Sequence, residues 1–153
     1  MNSDFRDILS AFIAEGVEFL LVGAYALAAH GVPRATGDID LWVRPSPENA
    51  TRVWTALAKF GAPVSNLSTA DLTTPGLIYQ IGIRPRRIDV ITSIDGVEFP
   101  EAWLNRTEVL IEGLMIPVLG RTELIRNKRA AGRPKDKADL ALLEESEDQE
   151  SEP

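Results

Sequence analysis

The stretch Leu20–Val43, LLVGAYALAAHGVPRATGDIDLWV, decides how the rest of the chain is read. Phe19 to Val22 are apolar without a polar break, the pattern of a buried strand. Gly23 follows. Ala24 to His30 then form a strong helix-forming segment that closes at Gly31. Pro33 to Gly37 read as a loop, and Asp38 to Val43 as a second strand. In that strand Asp38, Asp40 and Trp42 point one way and Ile39, Leu41 and Val43 the other. Two aspartates on one strand face stand about 7 Å apart at their Cα atoms. Carboxylates so close repel each other unless a cation lies between them. A set of oxygen donors selects Mg²⁺ or Mn²⁺ over zinc. Gly23, at the mouth of a helix, adds free N–H groups and a positive dipole end where a phosphate can sit.

Outward from this stretch the elements follow in order. Ser3 is placed to cap a first helix, with Phe5, Ile8, Leu9, Phe12 and Ile13 at helical spacing and Gly16 at its end. Ser46-Pro47 starts another helix, whose inner face carries Val53, Trp54, Leu57 and Phe60 and which stops at Gly61. Ala62 to Pro75 is the least readable segment, apart from Ser68 and Asp71, which can cap one helical turn. Leu77–Ile83 and Arg87–Thr92 read as paired strands turning at Arg84-Pro85. Pro100–Asn105 is a short helix and Thr107–Leu119 a hairpin about Gly113. Thr122–Ala131 and Lys135–Leu143 are helices broken at Gly132-Arg133-Pro134. The expected fold is α+β, a mixed sheet flanked by helices, with helices at the C-terminus.

Composition sets outer bounds. Residues 1–143 are expected to form one domain, and residues 144–153 an acidic, disordered tail. That tail holds six acidic residues, which account for six of the seven net negative charges and leave the body at −1. Arg121 to Lys137 carries seven basic residues against Glu123 and Asp136, so the overall acidity does not exclude a polyanionic partner. The absence of cysteine excludes a thiolate nucleophile and a cysteine-based zinc site. No apolar run approaches the length of a membrane span, and a cytoplasmic setting is expected.

Further residues extend the carboxylate argument. Asp89 interrupts the apolar strand Arg87-Ile-Asp-Val-Ile91. If that strand lies beside the first carboxylate strand, three acids converge, able to hold metal and to take a proton from an attacking hydroxyl. Arg34 and Thr36, in the loop before Asp38, either contact phosphate or order the loop. Lys128, Arg133, Asp136 and Asp139 form a second group, in which the two acids share a helix face. They read either as a solvated helix pair or as cations reaching phosphates, oriented by the acids. The single histidine, His30, cannot build a histidine metal site and suits capping or packing.

Gly23-Ala24, a helix, then Asp38-Ile-Asp-Leu41 resembles the signature of the DNA polymerase beta-like nucleotidyltransferase superfamily. With His30-Gly31, Arg34, Thr36 and the later Lys128, Arg133, Asp136 and Asp139, the pattern resembles the minimal branch related to the AbiEii toxins of toxin–antitoxin systems. The resemblance implies that an NMP is moved from an NTP to an acceptor hydroxyl, on an RNA 3′ end such as that of tRNA, a protein or a small molecule. It implies Mg²⁺ or Mn²⁺ on Asp38, Asp40 and Asp89, which would also be the catalytic residues. The nucleotide would be held by Gly23, Ala24, Arg34, Thr36, Lys128 and Arg133, and an antitoxin protein would be a partner. One position departs from the signature: Ala24 stands where serine or a second glycine is usual, and a hydroxyl contact to phosphate is absent. That departure keeps open a second reading, a non-catalytic nucleotide- or partner-binding module with the same fold.

Overall fold

Phe19–Val22, here β1, is buried along its whole length because it lies in the middle of a six-stranded sheet. The computed structural model describes residues 1–34 and 37–151. After α1 (Ser3–Ala14) and β1 come α2 (Gly23–Ala29), β2 (Ile39–Val43) and α3 (Pro47–Phe60). A 3₁₀ turn at Asp71–Thr73 precedes the pair β3 (Ile78–Ile81) and β4 (Ile88–Ile91). Then follow α4 (Phe99–Leu104), β5 (Thr107–Ile111), β6 (Leu114–Val118), α5 (Arg121–Ala131) and α6 (Pro134–Ser151). The strand order is β3-β4-β2-β1-β6-β5. β2 runs antiparallel to β1 but parallel to β4, and β1 is parallel to β6, so the sheet is mixed and the fold α+β.

The two faces of the sheet do different things. Phe19 stands opposite Val43 in the ladder and so shares its face. There it meets Phe12 of α1 edge-on at 5.3 Å between ring centroids. Leu57 and Val53 of α3 complete this apolar layer with Ile8 and Leu9 of α1. The other face carries Asp40 and Trp42, and the helices α4, α5 and α6 border it.

Local signals place most element ends. Ser46 caps α3 by accepting the Asn49 N–H at 3.3 Å, with Pro47 in the first turn and Gly61 left-handed at the end. Ser68 and Asp71 exchange side-chain and backbone hydrogen bonds of 3.0 Å around the 3₁₀ turn, as a capping box does. Two positions differ from expectation. The cap of α1 is Asn2, whose side chain accepts from the Asp4 N–H at 2.7 Å, so Ser3 is already helical. The expected boundary after Leu143 is not a helix end either: α6 continues to Ser151. Glutamates are good helix formers. Two contacts also tie this stretch down, Arg129 to Glu144 at 3.2 Å and the Ser146 hydroxyl to the His30 carbonyl at 3.4 Å.

Candidate active site

Asp40 and Asp89 face each other across the parallel pair β2 and β4, in direct register and therefore on one sheet face. Their carboxyl groups are within hydrogen-bonding reach. Asp38 lies just before β2 rather than inside it. Its Oδ1 accepts the Arg87 backbone N–H at 2.9 Å, and its Oδ2 lies 3.5 Å from Arg84 Nε. The three acids predicted to converge are therefore brought together. The Asp40 carboxyl is pushed up to about 6, first by burial, then by the charge and hydrogen bond of Asp89 and the charge of Asp38, with Arg87 opposing.

Gly23 has a reason of its own to be glycine. Its φ is +66°, and a Cβ built on it would overlap the Asp40 carboxylate. The acid thus rests on the bare Cα at the start of α2.

Arg84 and Arg87 belong to this site although the sequence reading did not single them out. Both sit on the β3–β4 turn, where the Arg84-Pro85 peptide is cis. The turn is docked so tightly that a Cβ on Gly37 would overlap the Pro85 carbonyl. From there Arg87 grips the buried Asp89 with both arms of its guanidinium, Nε to Oδ1 at 2.7 Å and Nη2 to Oδ2 at 3.0 Å. The available signal was the density of arginine at Arg84, Arg86 and Arg87, immediately before an acid-bearing strand.

The second group stands on α5 and α6. Lys128 is buried, with Nζ 3.4 Å from Asp136 Oδ1 and 3.3 Å from Asp139 Oδ2. The helical spacing of the two acids thus aims both at one ammonium. Asp136 also accepts the Arg133 backbone N–H at 3.2 Å and its Nε–H at 2.6 Å. Burial alone would push the Asp136 carboxyl up, but these hydrogen bonds and the Lys128 charge outweigh it and hold it below the usual carboxylate range. Arg34 pairs with Asp139 and ties the loop before β2 to α6. Of the two readings of this group, the acids do orient the cations; the simple solvated helix pair does not describe it.

Both groups line one cleft of about 730 Å³. Gly23, Asp40 and Asp89 of the sheet side and Lys128, Arg133 and Asp139 of α5, α6 and their junction all line it, with Ala24, Arg34 and Asp38 also at its surface. The volume suits a nucleotide-sized ligand. Thr36 lies outside the described residues. Trp42 shares the acid face, but it is buried edge-on against Phe99 at 5.0 Å and belongs to the core. His30 Nε2 lies 2.8 Å from the Leu119 carbonyl and joins the end of α2 to the end of β6, a packing role.

A family model described as "Nucleotidyl transferase of unknown function (DUF2204)" matches residues 1–151. The chain belongs to this nucleotidyltransferase family. No curated protein matches it significantly. Among solved structures it is similar to TM1012 from Thermotoga maritima, assigned as a nucleotidyltransferase, with a TM-score of 0.61 and 18% identity over 90% of this chain and 88% of that one. The crystal structure of ANT(2")-Ia in complex with adenylyl-2"-tobramycin gives a TM-score of 0.58 and 16% identity, covering 92% of this chain and 86% of that one. A nucleotidyltransferase-like protein from Paracoccidioides brasiliensis gives 0.52 and 15%, covering 92% and 74%. These likenesses show the fold, a nucleotidyltransferase-like α+β fold with a mixed sheet.

Nucleotidyltransferases generally use divalent metals. The chemistry of the acid cluster fits one: its donors are all carboxylate oxygens, and the half-buried Asp40 faces Asp89 with too little positive charge between them to keep its ordinary pKa. Among the described residues, however, no three acidic, histidine or cysteine side chains stand as a ready ligand set. Arg87 holds both oxygens of Asp89.

Proposed function

We propose that this nucleotidyltransferase transfers an NMP from an NTP to an acceptor hydroxyl, with Asp38, Asp40 and Asp89 holding Mg²⁺ or Mn²⁺. The observation that carries the reading is the pairing of Asp40 with Asp89 across β2 and β4, in a cleft that Lys128 and Arg133 also line. The metal supplies neutralisation of phosphate charge and a lowered barrier to displacement of pyrophosphate. The protein's own groups do the rest. Gly23 leaves room for Asp40, Lys128 and Arg133 attract the triphosphate, and Arg34 holds the approach loop against α6. Asp89 accepts the proton of the attacking hydroxyl as the new phosphoester forms. Ala24 contributes a backbone N–H at the mouth of α2 without a hydroxyl.

The basic segment Arg121 to Lys137 favours a polyanionic acceptor such as an RNA 3′ end. A role as the toxin of a toxin–antitoxin pair, acting in the cytoplasm and held by an antitoxin protein, is supported by the motif resemblance. No helix among the described residues is long and apolar enough to cross a membrane.

The test is calorimetric titration of each NTP, with and without Mg²⁺, on the wild type and on Asp38→Ala/Asp40→Ala. Mg²⁺-dependent binding that disappears in the variant is expected. A folded wild type that binds no NTP overturns the reading and favours the partner-binding module.

A further inference from the structure

A second, smaller cavity of about 280 Å³ opens beside the cleft. The two share Ser93 and Ile94 in their walls, so the cavity continues the cleft beyond the end of β4. Trp42, which lines it, follows Asp40 by two residues on β2 and therefore stands on the same sheet face, about 7 Å further along at the Cα. A molecule whose body fills the cavity can thus present a hydroxyl to the acids of the cleft. The span is that of a nucleoside, from its base to its sugar hydroxyls.

The wall of the cavity has a chemistry of its own. Arg84, Arg133 and Lys135 line the cleft but not the cavity. Its charged residues are Arg44 and Glu98, one of each sign, and Arg44 is paired with Glu18 and lies 4.8 Å over the Phe99 ring. Trp42, Pro45, Ile94, Val97, Phe99 and Pro100 make the rest mostly carbon. Such a wall suits an uncharged flat ring rather than a phosphate, and ends of RNA are commonly held by placing an unstacked base among aromatic side chains.

One group in this wall lacks a partner. The hydroxyls of Ser46, Thr92 and Ser93 are each hydrogen-bonded within the protein. The Trp42 Nε1–H is buried and has no hydrogen-bond partner among the described residues. An indole nitrogen can only donate, and a buried donor left unpaired is costly and uncommon. It calls for an acceptor atom on whatever fills the cavity, which a ring nitrogen or ring carbonyl of a base supplies.

We propose that this cavity is the acceptor subsite and takes the base of a nucleoside whose sugar hydroxyl receives the NMP. The inference rests on the nucleotidyltransferase reading and deepens it. That hydroxyl oxygen bonds to the α-phosphorus of the NTP, its proton passes to Asp89, and pyrophosphate leaves. The nucleoside is either free or the last unit of an RNA 3′ end, and the two present the same base to Trp42.

The experiment is a calorimetric titration of adenosine, cytidine, guanosine and uridine into the full chain saturated with Mg²⁺ and a non-hydrolysable NTP analogue. Wild type is compared with Trp42→Phe, which keeps a ring and removes the N–H, with folding checked by circular dichroism. At least one nucleoside should bind the saturated wild type, and Trp42→Phe should weaken it about tenfold, as for one lost hydrogen bond. No nucleoside binding to the saturated wild type, or displacement by the analogue, overturns the inference, and this arm holds even if Trp42→Phe does not fold. Equal nucleoside affinity in folded Trp42→Phe also overturns it, as does an equal fall in analogue affinity, which would mark a general disturbance of β2. RNA trinucleotides with a free 3′ hydroxyl distinguish the sources: a tenfold or greater gain over the nucleoside assigns the RNA end, and equal affinity the free nucleoside, each in support of the subsite. Failure of the folded wild type to bind any NTP analogue overturns the nucleotidyltransferase reading and the acceptor role with it, even where a nucleoside still binds.

Discussion

The Asp40 carboxylate rests on the Cα of Gly23, in space that any side chain at position 23 would occupy. The strand-to-helix turn and the acid strand are therefore fitted to each other, and the glycine is needed for the acid as much as for its left-handed backbone. Gly23→Ala should lose roughly 1–3 kcal/mol of stability from the backbone alone. It should also displace Asp40 and weaken metal-dependent NTP binding by about 100-fold, the scale expected of an ångström-level misplacement. Gly61→Ala is the control: φ is +100° there, but nothing lies within 4 Å of the added Cβ. It should share the strain and keep the binding. Thermal unfolding and calorimetry on the two variants give the comparison, and equal NTP affinity in both would contradict this account of Gly23.

Asp40 makes the site costly to keep empty. Its pKa is raised to about 6, so the folded chain holds a proton there that the unfolded chain has released. Between the ordinary aspartate value and about 6 the folded state binds more protons, and stability falls as pH rises through that window. Above it the ionised, metal-free carboxylate opposes folding by on the order of 1–3 kcal/mol. Asp40→Asn, in chelator, should therefore unfold at higher temperature than wild type at pH 7.5, and the advantage should vanish near pH 4. Mg²⁺ should stabilise the wild type and not the variant. A destabilised Asp40→Asn at pH 7.5 would contradict the electrostatic picture.

What could be read from the chain alone depended on how local the cause was. The strands β1, β2 and β4 announce themselves through apolar runs and alternation, and Asp89 could be joined to Asp40 on the condition that their strands were neighbours. The register meets that condition. Lys128, Asp136 and Asp139 were legible as a group because helical spacing puts the two acids on one face. The Arg87–Asp89 pair also left a local pattern, the i, i+2 spacing that shares a strand face. Arg84 was not legible, because its partner Asp38 is brought to it by the parallel pairing of β2 with β4 and by the packing of Pro85 on Gly37, neither of which leaves a local pattern. The steric role of Gly23 was hidden for the same reason. Trp42 was legible as a residue of the acid face, but only Phe99, distant in sequence, shows that it is core.

Asn49 is a buried polar residue with a purely structural explanation. Its Oδ1 accepts the Glu18 N–H at 2.8 Å, and its Nδ2 donates to the carbonyls of Glu18 and Arg44, both at 2.9 Å. It therefore joins the start of α3 to the chain entering β1 and leaving β2, at the end of the sheet away from the acids. Asn49→Ala strands the Glu18 N–H and the Arg44 carbonyl, while the Glu18 carbonyl keeps the Arg44 N–H at 3.1 Å, and should cost about 2–4 kcal/mol. Urea unfolding should record that loss, while NTP affinity measured on the folded protein stays at the wild-type value. A shift in affinity would mean that this end of the sheet is coupled to the cleft.

Asp136 and Arg133 touch each other yet should fail in different ways. Asp136 is fully buried and compensates Lys128, so Asp136→Ala leaves an ammonium short of charge inside the protein and should cost about 3–5 kcal/mol. Its carboxyl lies below the ordinary range, so this contribution is present above the unfolded-state value and is lost only as pH falls through the lower, folded one. The wild-type advantage over Asp136→Ala should thus hold at neutral pH and shrink in strong acid. Arg133 is different because its side chain is 62% exposed at the cleft, while Asp136 keeps Lys128 and the Arg133 backbone N–H without it. Arg133→Ala should lose about 1 kcal/mol of stability or less. Its NTP affinity should fall about tenfold, as for one charge-assisted contact to phosphate. Unfolding curves across pH and NTP titrations on both variants separate these roles. Wild-type affinity in Arg133→Ala would remove Arg133 from the nucleotide site and leave it only as a partner of Asp136.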